Sequence, residues 1–303
     1  MSVPVISFAE GEAALDWRGL TDALAAGHTR PKAQIGDTFL YRDPDTILSR
    51  AAWIDGMGAA VKTATVFPNN PARGAPMING GVNLYADEDG ALAAIIDFHL
   101  VTKWKTAGDS LLAALKLAPP QVRRILIVGA GAVGASVREA FAAGFPGAGF
   151  AIWNRSAARA EALAQTYPET DVAEDLAHAV HEADIIIGCT MSTEPWLRGE
   201  WLRPGQHVNL IGAYRPDMRE ADDTALQRAT LYVDSLDTTL DHIGELKIPL
   251  KAGVITRENV RADYYSLDSF APEPSGVTLF KNGGGAHLDL MTAHYILSRW
   301  SAQ

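Results

Sequence analysis

The sequence predicts an α/β protein whose later part is a parallel, doubly wound sheet and whose earlier part is a separate α+β lobe. Three observations predict it. An apolar strand, a glycine-rich turn, an alanine-rich helix and a second strand run without a break through residues 125–155, ILIVGAGAVGASVREAFAAGFPGAGFAIWNR. Short, continuously apolar strands then alternate with helical segments to Asp234, the rhythm of parallel strands covered on both faces. Residues 1–118 have a different texture and precede that unit, which places the sheet mid-chain.

Bulk composition narrows the class. The 303 residues suffice for two domains, and 48% hydrophobic with 20% charged residues describes an ordinary globular protein. The net charge of −10 argues against a nucleic-acid partner, which needs clustered Lys and Arg. Small anionic ligands need only one or two local cations and stay open. The lone Cys189 cannot form an intrachain disulfide. No apolar run reaches membrane-spanning length and no signal-like segment opens the chain, so a cytoplasmic enzyme without a membrane partner is expected.

In the first lobe, residues 13–26 have helical periodicity through Leu15, Leu20 and Leu24, ended by Gly27. Strands are expected over 37–42 and 51–54. Residues 56–66 run through glycines into a β-branched strand carrying Lys62, and turn residues close it at 67–71. Residues 82–85 and 92–98 read as a hairpin across Asp87-Glu88-Asp89-Gly90. A helix is expected over 102–118, stopped by Pro119-Pro120, which makes 119–124 the domain linker. The second lobe continues with helices near 156–167, 176–183 and 222–228 and strands near 184–189, 207–211 and 230–234. A last helix over 287–300, with Leu288, Met291, Ile296 and Leu297 on its apolar face, is expected to pack back onto the first lobe.

Gly129, Gly131 and Gly134 match G-x-G-x-x-G in its required setting, after a strand and opening a helix. Gly129 allows the tight turn, Gly131 lets the backbone approach a pyrophosphate, and Gly134 lets the helix pack on the sheet. The free N–H groups of the helix start, around Ala132 and Val133, then hold the phosphates. An NAD site usually places a carboxylate roughly 20 residues beyond the glycines. This chain has Asn154-Arg155-Ser156 instead, which favours the 2′-phosphate of NADP(H), with NAD(H) the alternative and a solvated Arg155 the bland reading. Thr190 and Met191 follow the strand at 184–189 and fall at the ligand-binding edge of the sheet. Cys189 is expected to be a small buried apolar residue.

Lys62 is either a solvated strand residue or, among its small neighbours, a group that holds a carboxylate or passes a proton. Lys105 faces solvent or a cleft, or pairs with Asp109 one turn on. The histidines show no metal-ligand spacing, and His287 and His294 are expected to cover surface.

From Arg30 to the last helix the chain resembles the ornithine cyclodeaminase/mu-crystallin family. The resemblance is carried by residues 58–70 (GAAVKTATVFPNN), 100–118 (LVTKWKTAGDSLLAALKLA), the central GAGAVG, 184–195 (DIIIGCTMSTEP), 212–220 (GAYRPDMRE) and 280–289 (FKNGGGAHLD). It implies an NAD(P)-binding Rossmann domain, 119–285, inserted into a mixed α+β substrate-binding and dimerisation domain, 1–118 plus 286–303, and a homodimer. It also implies that Lys62 is the substrate lysine, and that Lys105 stands where the family has a carboxylate-clamping arginine. Arg30 matches a second carboxylate-binding arginine. Tyr214 occupies the position of the cyclodeaminase aspartate, so the motif is closest to the cyclic ketimine (Δ1-pyrroline-2-carboxylate) reductases. The expected activity is NAD(P)H-dependent reduction of a small cyclic imino acid. Ornithine cyclodeaminase, an amino-acid dehydrogenase and a mu-crystallin-like binding protein are the alternatives. Asp217 and Glu220 lie near the position of that missing aspartate, with pairing to Arg215 and Arg219 as the bland alternative.

Overall fold

A computed structural model describes residues 3–303. They form two compact units. The first runs to Lys105 and resumes at Gly284, and the second is Thr106–Gly283.

The first unit opens with β1 (Val5–Ile6), α1 (Phe8–Glu12) and α2 (Trp17–Gly27). The helix expected over 13–26 is α2, which starts later, at Trp17, because Asp16 caps it: its carboxylate accepts the Gly19 N–H at 2.6 Å. Leu20 and Leu24 are buried, as their spacing requires. Five longer strands follow: β2 (Gln34–Arg42), β3 (Asp45–Ile54), β4 (Gly58–Val66), β5 (Ile78–Tyr85) and β6 (Leu92–Asp97). The sheet order is β1-β6-β5-β4-β3-β2, with β1 parallel to β6 and the other pairs antiparallel. β2 and β3 are longer than the apolar runs at 37–42 and 51–54 suggest, since pairing extends both strands through polar residues. Gly58 opens β4 at φ +89°, where a Cβ would lie 2.2 Å from the Tyr85 carbonyl oxygen. The register places Arg50 opposite Lys62 and Lys62 opposite Val82, on one face of the sheet.

Helix α3 (Phe98–Leu117) is divided between the units at Lys105/Thr106. The boundary therefore falls inside the helix and not at the proline pair. Its later carbonyls explain this. Asp109, Ser110 and Leu117 accept hydrogen bonds from Tyr264 Oη, Asn209 Nδ2 and Thr278 Oγ1, at 2.6, 2.9 and 3.2 Å, all within the second unit.

The second unit runs through β7 (Arg124–Val128), α4 (Ala132–Gly144), β8 (Gly149–Trp153), α5 (Ala157–Thr166), β9 (Thr170–Val172), α6 (Leu176–Glu182) and β10 (Ile185–Gly188). It continues with β11 (His207–Leu210), α7 (Asp223–Arg228), β12 (Ala229–Val233), α8 (Leu236–Thr239), α9 (Gly244–Lys251), β13 (Val260–Ala262) and β14 (Val277–Lys281). All its strands are parallel, in the order β13-β12-β14-β11-β10-β7-β8-β9. Leu126, Val128, Ile186, Val208, Leu210, Leu231 and Leu279 build its core. Strand order reverses between β7 and β10, and such a switch point leaves a crevice at the carboxyl ends of the strands. Strand β14, unforeseen in the sequence, lies between β11 and β12; its Lys281 hides it from an apolar-run search.

The chain then returns to the first unit as α10 (Ala286–Trp300), which packs on β3, β4, β5 and α2. Leu288, Met291 and Ile296 are buried as expected. His287 is also fully buried, against the expectation that it covers surface, because it faces the buried His28 of α2 at a ring distance of 5.2 Å. His294 is exposed. No helix among the described residues is long and apolar enough to cross a membrane.

Candidate active site

In the first unit the sheet face covered by α10 carries a buried charge cluster. Alternation along β4 turns Lys62 to this face with Ala60 and Ala64, leaving room around its side chain. Lys62 Nζ donates to Asp289 Oδ1 on α10 at 2.9 Å and lies 4.7 Å from the centroid of the Phe98 ring. Lys105 Nζ stands 3.8 Å from the same Asp289 oxygen and donates to the Gly284 carbonyl at 3.2 Å. Arg50, across the ladder from Lys62, donates from Nη1 to that same Gly284 carbonyl at 3.0 Å. Lys62 and Lys105 are each 7% exposed and Asp289 2%.

Electrostatics follow from this packing. Burial depresses Lys62 to a pKa of about 8; Asp289 opposes the shift, while Lys105 and Arg50 add to it. Burial acts to raise the Asp289 carboxyl, yet Lys105, Lys62 and Arg50 together hold it below its ordinary value. Its second oxygen, Oδ2, has no hydrogen-bond partner among the described residues.

Arg30 does not join this cluster. Its Nη1 donates to the Gly56 carbonyl in the β3–β4 turn at 2.6 Å. Lys62 lies four residues into β4 from Gly58, roughly 13 Å along a strand. Arg50 and Asp289 are the members that the sequence reading missed. Arg50 was masked by a strand of mixed polarity, and Asp289 by its place in a last helix whose apolar face alone stood out.

In the second unit the glycine turn has the form a dinucleotide requires. Gly129 sits at φ +117°, and a Cβ there would meet the Cys189 carbonyl oxygen at 2.8 Å. A Cβ on Gly134 would lie 2.1 Å from the Gly129 oxygen. A Cβ on Gly131 would meet nothing within 4 Å, so the space in front of the backbone there is open to a ligand. Gly131 is also the N-cap of α4 and has no side chain to occupy the free N–H groups of Ala132, Val133 and Gly134. The turn fits a pyrophosphate. A groove of about 480 Å³ runs past Gly131 and Ala132 to Arg159 and Thr166 on α5.

Asn154 works on the turn itself: Oδ1 accepts from the Ala130 N–H at 3.1 Å and Nδ2 donates to the Ser156 carbonyl at 3.0 Å. Arg155 and Ser156 are exposed beyond β8. Met191 is 69% exposed after β10. Thr190 turns both its N–H and its hydroxyl to Glu220 Oε1, at 2.8 and 2.7 Å.

Glu220 does not follow the bland alternative. It is fully buried and pairs with no arginine; its Oε2 accepts the N–H groups of Gly212 and Ala213, at 2.7 and 3.3 Å. Arg219 pairs with Asp223 instead, while Arg215 does take Asp217, each at 2.8 Å. Glu220 thus ties the loop after β10 to the loop after β11. Beneath it, buried Glu245 accepts the N–H groups of Glu220 and Ala221, and burial followed by the Glu220 charge raises its pKa to about 7. Cys189 is half-buried and not enclosed as expected; burial and then Glu220 push its thiol well above the usual range. Tyr214 is 59% exposed. Among the described residues no group of His, Cys, Asp or Glu is arranged to hold a metal ion.

Comparison with known proteins agrees with this architecture. The model of the ornithine cyclodeaminase/mu-crystallin family matches residues 52–303. Delta(1)-pyrroline-2-carboxylate reductase from Paracoccus denitrificans is 47% identical over 300 residues, covering 96% of this chain and 95% of the relative. Among solved structures, the fold matches Thermococcus litoralis Delta(1)-pyrroline-2-carboxylate reductase in complex with NADH and L-proline. The TM-score is 0.89 at 23% identity, over 98% of this chain and 97% of the other. It also matches an archaeal alanine dehydrogenase dimer with bound NAD, with a TM-score of 0.89 at 23% identity, over 100% of this chain and 97% of that one. A family match across most of the chain and a relative at 47% identity, in a chain that has both a parallel glycine-turn sheet and a lysine-bearing mixed sheet, make this protein a member of the ornithine cyclodeaminase/mu-crystallin family.

Proposed function

We propose that the protein reduces small cyclic imino acids, Δ1-pyrroline-2-carboxylate or Δ1-piperideine-2-carboxylate, to L-proline or L-pipecolate at the expense of NAD(P)H. The observation that carries the proposal is the cluster in which Lys62, Lys105 and Arg50 gather around Asp289, with Asp37 on Arg50 as the other carboxylate. Such an excess of buried positive charge favours a ligand that brings a carboxylate. The 47% identical relative that bears the name of this activity supports the same reading.

In this scheme the ammonium groups of Lys62 and Lys105 hold the substrate carboxylate and orient the ring. Lys62, with a pKa of about 8, is protonated at neutral pH yet releases its proton more readily than an ordinary lysine. It gives that proton from Nζ to the imine nitrogen. A bound nicotinamide supplies the hydride to the ring carbon that bears the carboxylate. Asp289 keeps Nζ in place and favours return of its proton. Arg30 rests on the Gly56 carbonyl and is the second carboxylate-binding residue that the family resemblance implies.

Gly129, Gly131, Ala132, Val133 and Gly134 form the dinucleotide cradle, with Thr190 and Met191 at the neighbouring strand end. Arg155 and Ser156, with no carboxylate beside them at the end of β8, favour NADP(H) over NAD(H). Homodimerisation is part of the reading. The edge strand β2 is exposed along its whole length, with Phe39, Leu40 and Tyr41 at 48%, 62% and 76%, a surface suited to a second copy of the chain. A cytoplasmic setting accords with the sole cysteine, Cys189.

The test is direct. Purified protein is given NADPH or NADH with each cyclic imine while cofactor absorbance is followed, and in parallel L-ornithine with NAD while ammonia is measured. Oxidation of NADPH with an imine is expected. No oxidation with any imine overturns the proposal, and ammonia from ornithine makes the protein a cyclodeaminase despite Tyr214.

A further inference from the structure

We propose that Arg50 recognises the substrate carboxylate and restricts the enzyme to imines that bear a single carboxylate. The inference rests on the reductase reading and assigns a residue that neither the family resemblance nor the sequence pointed to.

Register and alternation put the Arg50 side chain on the face of Lys62, one strand away. Its Nη1 and the Nζ of Lys105 donate to the same Gly284 carbonyl oxygen, at 3.0 and 3.2 Å, so the guanidinium and the ammonium converge on one point. Its charge reaches both Lys62 and Asp289. The Arg50 side chain is 25% exposed, against 9% for Lys62 and for Lys105, which makes it the most accessible cation of the three.

Donor arithmetic leaves it room for a ligand. A guanidinium has five N–H groups. Asp37 on β2 faces both Nε and Nη2 at 3.2 Å and Gly284 takes one N–H on Nη1, which leaves one N–H on each terminal nitrogen for a ligand. Lys105 stands where the family resemblance calls for an arginine and offers only a point charge. Arg50 brings a planar, two-nitrogen donor back to the cluster from a different strand. Charge counting sets the class of ligand. Arg50, Lys62 and Lys105 face Asp289 and Asp37, three cations against two carboxylates, so one further anion balances the site and a second leaves it negative.

The experiment compares wild type, R50K and R50Q on Δ1-pyrroline-2-carboxylate and on Δ1-pyrroline, the same ring without its carboxylate, with KM for NADPH measured alongside. In R50Q the KM for the carboxylate substrate rises about tenfold to a hundredfold, the value of one charge-assisted contact. The R50K value falls between the two. Activity on Δ1-pyrroline changes by much less than that, so the ratio of kcat/KM between the two imines falls, and KM for NADPH reports on the separate dinucleotide turn. An unchanged ratio between the two imines in R50Q overturns the proposal. Should R50Q not fold, the same ratio in R50K decides, and an unchanged ratio there is equally fatal. A calorimetric arm measures binding of L-proline against pyrrolidine to wild type and variants. It separates the two ideas: wild type that reduces no imine removes the reductase reading, while loss of L-proline selectivity in the variants still supports Arg50.

Discussion

Lys62 sits among groups that pull its proton affinity in opposite directions: burial, Lys105 and Arg50 lower it, and Asp289 raises it. With the ammonium as the acid, kcat/KM for imine reduction is level below pH 8. It falls about tenfold per pH unit above it, as expected for loss of one essential proton. D289N removes the one anion that raises Lys62, so the falling limb moves to lower pH, by about one unit or more. A limb that moves upward or stays in place removes Asp289 from this role. K62R keeps the charge without a transferable proton, and its profile is slow and lacks the limb near pH 8. Arg155 is the residue for cofactor choice. R155A raises KM for NADPH about tenfold or more and leaves KM for NADH within about twofold, as befits one charge-assisted contact to a 2′-phosphate. Equal effects on both cofactors would falsify that assignment.

Two loops at the carboxyl edge of the parallel sheet owe their shape to a carboxylate beneath them. Glu220 accepts from Thr190, Trp196, Gly212 and Ala213 and faces the buried charge of Lys281, so E220Q must present an amide donor to one of these donors. Each lost acceptor costs about 1–3 kcal/mol. The variant is expected to melt lower in a thermal scan and to bind NADPH more weakly, with KM for the imine little changed. Glu245, one layer deeper, gives a pH signature. Its folded pKa of about 7 exceeds the unfolded value of 4.5, so between these limits the folded protein holds a proton that the unfolded chain has lost. Stability therefore falls as pH rises through that window. Urea unfolding of wild type and E245Q should show a constant difference below pH 4.5, drifting in favour of the variant up to pH 7. A constant difference across the range would show that Glu245 titrates normally. None of this was legible in GAYRPDMRE, where Glu220 follows Arg219 and reads as a solvated pair; only burial assigns its partners.

At the scale of the whole molecule, what the sequence discloses is what is local. The turn at Gly129–Gly134, the strands beside it and the β5–β6 hairpin each depend on neighbours within a few residues, and all are where the pattern puts them. The division inside α3 was not readable, because hydrogen bonds to distant Asn209, Tyr264 and Thr278 decide it, whereas the prolines after it only end a helix. The edge strand β2 gives the assembly-scale prediction. Replacing Leu40 and Tyr41 together by aspartate puts charge into the exposed apolar row, and sedimentation velocity should shift from a dimer to a monomer. A wild-type monomer, or a dimer unmoved by the double change, places the assembly surface elsewhere.

Lys62 and its counter-ion are 227 residues apart in the chain. A ribosome adding about 5–20 residues per second makes Asp289 roughly 11–45 s after Lys62. Throughout that interval the β3–β4 hairpin lacks the helix that covers it, while every strand of the second unit is made before α10. The unit encoded in the middle can therefore be finished first, and the one encoded first is finished last. A lysine waiting in water keeps its ordinary proton affinity, so the depressed pKa at Lys62 is itself a product of the final folding step, and a chain stopped before α10 would have the residue without its chemistry.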